Sequence, residues 1–231
     1  MPLPRVDLAA LVRDAAAGRF PPVDGGVSRA RPWRPRVEAA VAVTGHAVLC
    51  VGEDVSDEEL LRLGAHGFGG AHDPRLTTAL AGTGEIGVLD VLLVRPDVAG
   101  GVGSPGTVRV DVPDLVPRPD LADGDRAGHA RQWRDEVRVL GLTDRASTGL
   151  VTLSRGIAGL TEIGLQATDG SAEPLLRGAL ALVPADDPVL ASVTPGNARS
   201  LRFFLRQGFV PVGSVQQWHP ARTPSGEPDL G

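Results

Sequence analysis

Short apolar runs alternate with amphipathic segments along the last third of the chain, and this alternation restricts the fold more than any other feature of the sequence. Branched apolar residues are concentrated in the short runs, whereas the leucines of the segment 172–183 recur at helical spacing. The predicted order is strand, strand, helix, strand, helix, strand, over 149–154, 160–166, 172–183, 189–193, 198–207 and 209–216. This order predicts an α/β (α+β) fold, in which helices cover a mixed sheet.

The first half of the chain predicts the order β-α-α-β. A strand-like run over 38–51 has a possible break at Thr44, Gly45 and His46. Ser56 and Glu59 form a capping box that starts a helix, and the pair Asp73-Pro74 starts a second helix. A strand over 87–95 is expected to be buried because it is rich in branched apolar residues. The two halves begin with a similar order of elements, which is compatible with the N-terminal half being a degenerate copy of the second domain.

Glycine and proline mark the predicted domain boundaries. The segment 97–106 is glycine-rich and has no apolar periodicity, which predicts a linker. It would separate an N-terminal half, 1–96, from a second domain, 107–219, and a disordered tail, 220–231. The segment 21–35 is rich in proline, glycine and arginine and is predicted to be a loop. The second domain should begin with a strand at 108–112, a helix at 123–136 and a strand at 137–140.

Composition excludes several classes of function. The formal net charge is −5 and no helix carries a concentrated basic face, which argues against nucleic acid as a partner. No apolar run reaches the roughly 20 residues of a membrane span, and the N-terminus lacks a signal-peptide core, so we expect a cytoplasmic protein. The single cysteine, Cys50, rules out an intrachain disulfide, and the five histidines lack metal-ligand spacing, so no metal is predicted.

The segment 193–213 carries the most specific pattern. It reads VTPGNARSL over 193–201 and FFLRQGFVPVG over 203–213, with Asn197 as a good helix N-cap and Gly208 as a helix stop. This pattern resembles the GNAT superfamily of N-acetyltransferases, in which a strand ends in V-x-P-x-N and the next helix ends in G-F. The segments EVRV (136–139) and GLVTLSRGIAG (149–159) resemble a group of uncharacterised actinobacterial members. The resemblance covers about half the chain and implies a mostly antiparallel central sheet flanked by helices.

The resemblance also implies a cofactor site for acetyl-CoA, the acyl donor of the family. The pyrophosphate loop would be Ala167 to Ala172, with Gly170, Ser171 and Ala172 holding the anion at a helix N-terminus. Backbone groups of Leu165, Gln166 and Ala167 would bind the pantetheine amides, and Asn197 would contact the pantetheine side. This loop departs from the family pattern, because Ala167 replaces a cation or amide donor and two carboxylates, Asp169 and Glu173, lie nearby.

The transfer step is predicted to use Glu162 as the catalytic base, since a family base commonly lies on this strand. The family tyrosine that protonates the departing thiolate is replaced by Phe204, four residues before Gly208, and the chain contains no tyrosine. The resemblance implies that Phe204 contacts the cofactor but cannot donate a proton. Two hypotheses therefore stay open. The first is an acyl-CoA-dependent N-acyltransferase acting on a small-molecule or peptide amine, with a homodimer possible. The second is a GNAT-fold ligand-binding or interaction module that has lost catalysis.

Several features have simpler interpretations. Asp169 and Glu173 would serve as helix caps, and Glu162 as an ordinary edge or solvent-facing residue of its strand. Arg199, Arg202 and Arg206 share one helical face, which is typical of a solvated surface rather than of a site for the cofactor's 3′-phosphate.

Overall fold

A computed structural model of the protein describes residues 2–95, 112–167 and 170–222. Contacts divide the chain into two compact units. Unit 1 comprises Met1–Leu92, Val193–Ala198 and Pro211–Gly231, and unit 2 comprises Leu93–Ser192 and Arg199–Val210. In chain order the helices and strands of the described residues are α1 (Leu8–Ala16), β1 (Val27–Ala30), β2 (Glu38–Val43), β3 (His46–Cys50), α2 (Asp57–Arg62), α3 (Pro74–Ala81), β4 (Ile86–Arg95), β5 (Leu115–Pro117), α4 (Asp125–Trp133), β6 (Asp135–Leu142), β7 (Leu150–Arg155), β8 (Thr161–Gln166), α5 (Ala172–Leu180), β9 (Val189–Val193), α6 (Ala198–Arg206) and β10 (Val210–Trp218).

Unit 1 is built on strands in the order β1-β3-β2-β10-β4. The β2–β3 and β2–β10 pairs are antiparallel, whereas β1 lies parallel to β3. Its core contains apolar residues from these strands and from α2 and α3, with Leu49, Leu60, Leu76 and Trp218 fully or almost fully buried. Burial of such side chains contributes about 1.5–3 kcal/mol each and holds the helices on the sheet.

Unit 2 contains strands in the order β9-β8-β7-β6-β5. Pairing is antiparallel from β5 to β8, and β9 is parallel to β8. Helix α4 covers one face, where Ala127 packs with Val139 and Leu150. Helix α5 packs on the opposite face, and its Leu175 and Leu176 are fully buried. Both units are therefore mixed α/β with mostly antiparallel pairing and flanking helices, which confirms the predicted fold class.

Local capping chemistry fixes several helix starts as predicted. Ser56 Oγ accepts the N–H of Glu59 at 3.1 Å, and Asp73 Oδ1 accepts the N–H of Arg75 at 2.8 Å. The second half of the capping box is wrong, because the Glu59 carboxylate pairs with Arg62 at 2.6 Å instead of reaching back to the cap. The helix stop at Gly208 is confirmed by its positive φ of 82°, which a side chain would disfavour.

Other predictions about the elements need correction. β1 lies inside the segment 21–35 that was predicted to be loop, and it forms because its backbone pairs with β3. The first half of β4 is largely exposed rather than buried. Helix α4 stops at Trp133, short of the predicted 136, since Glu136 has a φ of 51° and the chain enters β6. Strand β5 was not predicted.

Some of the predicted domain boundaries stay predictions, because they fall on residues outside the described ranges. The linker 97–106 and the strand 108–112 lie outside the described residues. β10 belongs largely to unit 1, where it pairs with β2, although the sequence placed it in the second domain. The tail predicted to be disordered from residue 220 is held at Arg222, which donates to Glu38 and Asp54; 223–231 lie outside the described residues. Whether the N-terminal half is a degenerate copy also stays a prediction.

Candidate functional site

Strands β8 and β9 are paired only at their N-terminal ends. Within the described part of unit 2, parallel pairing joins Thr161 to Val189 and Glu162 to Leu190. On its other side β8 pairs with β7 along its whole length. The edge of β8 that faces β9 is therefore outside the ladder from Ile163 onward. Such an edge offers backbone N–H and C=O groups to an extended ligand, in the manner of an added strand.

The predicted base, Glu162, lies at the point where the two strands diverge, and its side chain is only 2% exposed. Its Oε1 accepts hydrogen bonds from Arg134 Nη2 at 2.7 Å and from Ser192 Oγ at 2.9 Å. Its Oε2 receives a long contact of 3.4 Å from the Ile157 N–H. The carboxylate is thus engaged by three donors, and the expectation of a solvent-facing strand residue is wrong.

Because side chains alternate along a strand, the residues of β8 are divided between the two faces of the sheet. Glu162, Gly164 and Gln166 point to the face covered by α4, because Gln166 pairs with Leu150, which packs against that helix. Leu165, half-buried, points to the α5 side. A cavity of about 230 Å³ lies on the α4 side at the end of β8. Its lining consists of Asp120, Leu121, Gly124, Thr148, Leu150, Gln166 and Ala167.

The predicted pyrophosphate loop leads into α5, which begins at Ala172 as predicted. Gly170 has a φ of 83°, and Ser171 is buried without a side-chain capping bond. Pro174 has no N–H, and the Leu175 N–H donates to Ser171 O at 3.0 Å, so the first turn offers an anion at most the N–H groups of Ala172 and Glu173. Pro174 is the signal in the sequence that indicates this loss of a donor.

Two acidic residues, Asp169 and Glu173, are close to this loop in sequence, and the structure describes only Glu173. The Glu173 carboxylate pairs with Arg177 at 3.3 Å, one turn along α5, which reduces its repulsion of an anion. Asp169 lies outside the described residues. The helix N-terminus therefore keeps more of its attraction for a phosphate than the sequence suggested.

The two remaining predicted residues belong to different units. Asn197 is exposed in unit 1, where it precedes α6 and its N–H donates to Thr194 O at 2.8 Å. Phe204 is 5% exposed in unit 2 and packs edge-to-face on Phe203 and Phe209, with ring centroids 5.5 and 4.9 Å apart. Core packing explains the aromatic side chain at this position. The cofactor contacts predicted for both residues stay predictions.

Two polar clusters were missed because their members are far apart in sequence. The first is the buried pair of Arg134 and Glu162. The second is in unit 1, where Ser28 Oγ lies 2.9 Å from His46 Nε2 and His46 Nδ1 lies 3.0 Å from Asp24 Oδ1. This is the hydrogen-bond order of a catalytic triad, but Ser28 is 2% exposed on β1, which closes its hydroxyl to a substrate. We assign this chain of bonds to the stability of unit 1.

These features define a class of site, a mixed α/β unit whose sheet opens between two parallel strands beside a helix N-terminus. Neither a protein-family model nor a curated protein matches the chain. Similar solved structures include a conserved protein of unknown function from Staphylococcus epidermidis (17% identity, TM-score 0.39), a protein assigned to the GNAT acetyltransferase family from Novosphingobium aromaticivorans (11%, 0.39) and a GCN5-related N-acetyltransferase from Kribbella flavida (14%, 0.37).

The three matches cover 63%, 60% and 67% of this chain. They cover 66% of each solved chain, so this chain matches just under two thirds of their length. Similarity of this size says nothing about activity or substrate. Among the described residues, no helix is both long and apolar enough to cross a membrane, and no group of three or more metal-ligating side chains occurs. A homodimer and a cytoplasmic location stay predictions.

Proposed function

We propose that the protein is an acyl-CoA-dependent N-acyltransferase that moves an acyl group, most simply acetyl, from a thioester to a primary amine. The observation that carries this proposal is the restriction of β8–β9 pairing to two residue pairs. The unpaired edge of Leu165, Gln166 and Ala167 would accept the pantetheine amides as an added strand. Each such hydrogen bond contributes about 0.5–1.5 kcal/mol.

The diphosphate of the cofactor would lie at the start of α5. Gly170, Ser171 and Ala172 would hold it with backbone N–H groups. The Glu173 carboxylate would repel the diphosphate less, because it forms an ion pair with Arg177. A helix N-terminus favours an anion by about 0.3–1 kcal/mol when exposed, and by about 2 kcal/mol when partly buried. With Pro174 removing one donor, we expect acetyl-CoA to bind more weakly than it would at a complete loop.

Direct attack needs a proton acceptor and a proton donor. The amine nitrogen forms a bond to the thioester carbon, the carbon–sulfur bond breaks, and the amine loses a proton. Glu162 is the proposed acceptor of that proton through Oε2, the oxygen that Arg134 and Ser192 do not engage. Phe204 has no proton to give, so water would protonate the thiolate.

A second function is favoured by one specific observation. Glu162 is buried and paired with Arg134 at 2.7 Å, an arrangement that serves structure as well as it serves chemistry. The alternative is therefore a module that binds a CoA thioester, or an interaction partner, without transferring an acyl group.

Thermal unfolding with acetyl-CoA and CoA tests binding. A ligand at about 100 times its Kd stabilises the folded protein by about 2.7 kcal/mol, or about 5–10 °C for a chain of this size. No shift at millimolar ligand would contradict the acyltransferase and a CoA-binding module, and would favour a module that binds an interaction partner.

An acetyl-transfer assay then separates the two functions. If Glu162 is the base, Glu162→Gln should lower kcat at least about 100-fold while the shift caused by acetyl-CoA is retained. Glu58→Gln, on the exposed face of α2, is the matched control and should leave kcat unchanged. Unchanged kcat in Glu162→Gln would remove this residue from the mechanism, and binding without turnover would favour the module.

A further inference from the structure

A buried nitrogen of Arg134 has no acceptor within the part of the chain that the structure describes. The side chain is 6% exposed, and its Nη2 forms the ion pair with Glu162 at 2.7 Å. The other terminal nitrogen, Nη1, is buried and makes no hydrogen bond to a described residue. Because a buried donor on a charged group is costly to leave unpaired, this nitrogen indicates that a ligand supplies the acceptor.

The charge of the Arg134–Glu162 pair restricts what that acceptor can be. The two side chains carry opposite charges and are 6% and 2% exposed, so the buried pair is neutral as a whole. The third group at this point, Ser192 Oγ, is a neutral donor that lies 2.9 Å from Glu162 Oε1. An anion added here would leave an unbalanced charge away from water, which is unfavourable. A carbonyl oxygen accepts the hydrogen bond of Nη1 without adding a charge.

The unpaired nitrogen lies over Gly164, in the part of β8 that has left the ladder with β9. A Cβ built at Gly164 would lie 3.1 Å from Nη1, so a side chain at this position would crowd the guanidinium. Ser192 of β9 contacts the same oxygen of Glu162 as Arg134 does, which places the guanidinium where the two strands separate. Glycine therefore leaves room beside this donor at the opening between the strands.

The position along β8 identifies which carbonyl the nitrogen would meet. In the proposed complex the diphosphate lies at 170–172 and the pantetheine amides lie along 165–167. The acyl end of the same molecule, continued in the same direction, reaches Gly164 and Glu162. The thioester carbonyl is the neutral oxygen at that end. It is also the atom on which negative charge develops when an amine attacks.

We propose that Arg134 Nη1 donates a hydrogen bond to the thioester carbonyl oxygen and stabilises the negative charge on that oxygen during transfer. This inference rests on the proposed acyltransferase function and adds a catalytic residue to it. The amine nitrogen forms a bond to the carbonyl carbon, and the π electron pair of the carbonyl moves to the oxygen beside Nη1. When the carbon–sulfur bond breaks, that pair re-forms the carbonyl, the thiolate leaves, and the amine proton passes to Glu162 Oε2.

Two ligands that differ in this one oxygen test the hydrogen bond without turnover. S-ethyl-CoA replaces the thioester by a thioether and keeps every other group of acetyl-CoA, including the pantetheine amides. Titration calorimetry should give a Kd for acetyl-CoA at least about tenfold lower than the Kd for S-ethyl-CoA, since a hydrogen bond to a charged group carries this much discrimination. Equal Kd values would show that the carbonyl is not the acceptor and would overturn the inference.

Two variants assign the difference to Arg134. Gly164→Ala crowds Nη1, and Arg134→Lys keeps the charge beside Glu162 but has only one terminal nitrogen. Each should reduce the ratio of the two Kd values to about twofold or less while S-ethyl-CoA binds as it does to the wild type. Gly128→Ala is the matched control on α4, because an added Cβ there meets nothing within 4 Å, and it should keep the full ratio. A ratio that survives in both test variants would refute the assignment.

Turnover distinguishes the role of Arg134 from that of Glu162. Glu162→Gln keeps an oxygen that can accept from Nη2, so the Kd ratio should persist in this variant. In Gly164→Ala the ratio should be lost and kcat should fall at least about 100-fold, the loss expected when one donor to the developing oxyanion is removed. If neither ligand binds, the acyltransferase proposal fails and the inference fails with it. If both bind equally and turnover is present, the inference fails alone.

Discussion

The buried pair of Arg134 and Glu162 should dominate the response of unit 2 to substitution. Arg134→Met removes the charge but keeps a side chain of similar reach. Glu162, 2% exposed, would then depend on Ser192 Oγ at 2.9 Å and the long contact from the Ile157 N–H. Removing one partner of a buried ion pair costs about 3–5 kcal/mol. Because two donors remain, we expect the lower end, about 3 kcal/mol.

For a chain of this size, this loss corresponds to a fall in Tm of about 6–12 °C, which differential scanning calorimetry would resolve. The control is Arg177→Met, which breaks the exposed pair with Glu173 and should cost about 0.5 kcal/mol or less. The double variant Arg134→Met/Glu162→Leu should recover most of the loss, because no buried charge is left alone. A single variant that melts within about 2 °C of the wild type, or a double variant no more stable than the single, would refute the reasoning.

Three further predictions concern single groups. Burial lowers the pKa of His72, whose Nδ1 has no hydrogen-bond partner within the described part of the chain. The unfolded chain therefore takes up the proton first, so the free energy of unfolding should fall by at most about 1.4 kcal/mol per pH unit as pH drops below about 6.5. Urea titrations of His72→Gln should lose this slope. Burial also raises the pKa of the Cys50 thiol, so Ellman's reagent should react with it only after unfolding, and a fast reaction of the native protein would contradict this. Glu173→Gln should tighten acetyl-CoA binding about two- to fivefold by calorimetry, whereas Glu58→Gln should not.

Short-range chemistry explains which parts of the fold were predictable. Helices α5 and α6 and strand β9 begin where the sequence indicated, because the spacing of apolar residues within each element is a local signal. β1 was missed for the opposite reason. Its four residues lie among prolines, glycines and arginines, and they become a strand by pairing in parallel with β3. Such pairing leaves no local signal in the sequence.

Buried arginines show the same limit. Arg29 looks like a surface residue in sequence, yet it is 1% exposed and donates to Val55 O at 2.6 Å, Gly52 O at 2.8 Å and Asp57 Oδ1 at 2.9 Å. Its acceptors are two loop carbonyls and one carboxylate that tertiary structure brings together, so their arrangement could not be inferred from composition. Arg134 is the equivalent case in unit 2. The sequence placed Glu162 on the right strand but could not identify the cation that holds it.

The two roles suggested for this pair lead to different kinetics. If Glu162 accepts the amine proton, Glu162→Gln lowers kcat and leaves KM for the acceptor nearly unchanged. If Glu162 serves mainly to hold Arg134 in place, the same variant loses the buried ion pair, lowers the Tm and changes kcat little. Measuring kcat and the Tm in one variant therefore separates a catalytic Glu162 from a structural Glu162, because only the first role requires a large loss of kcat.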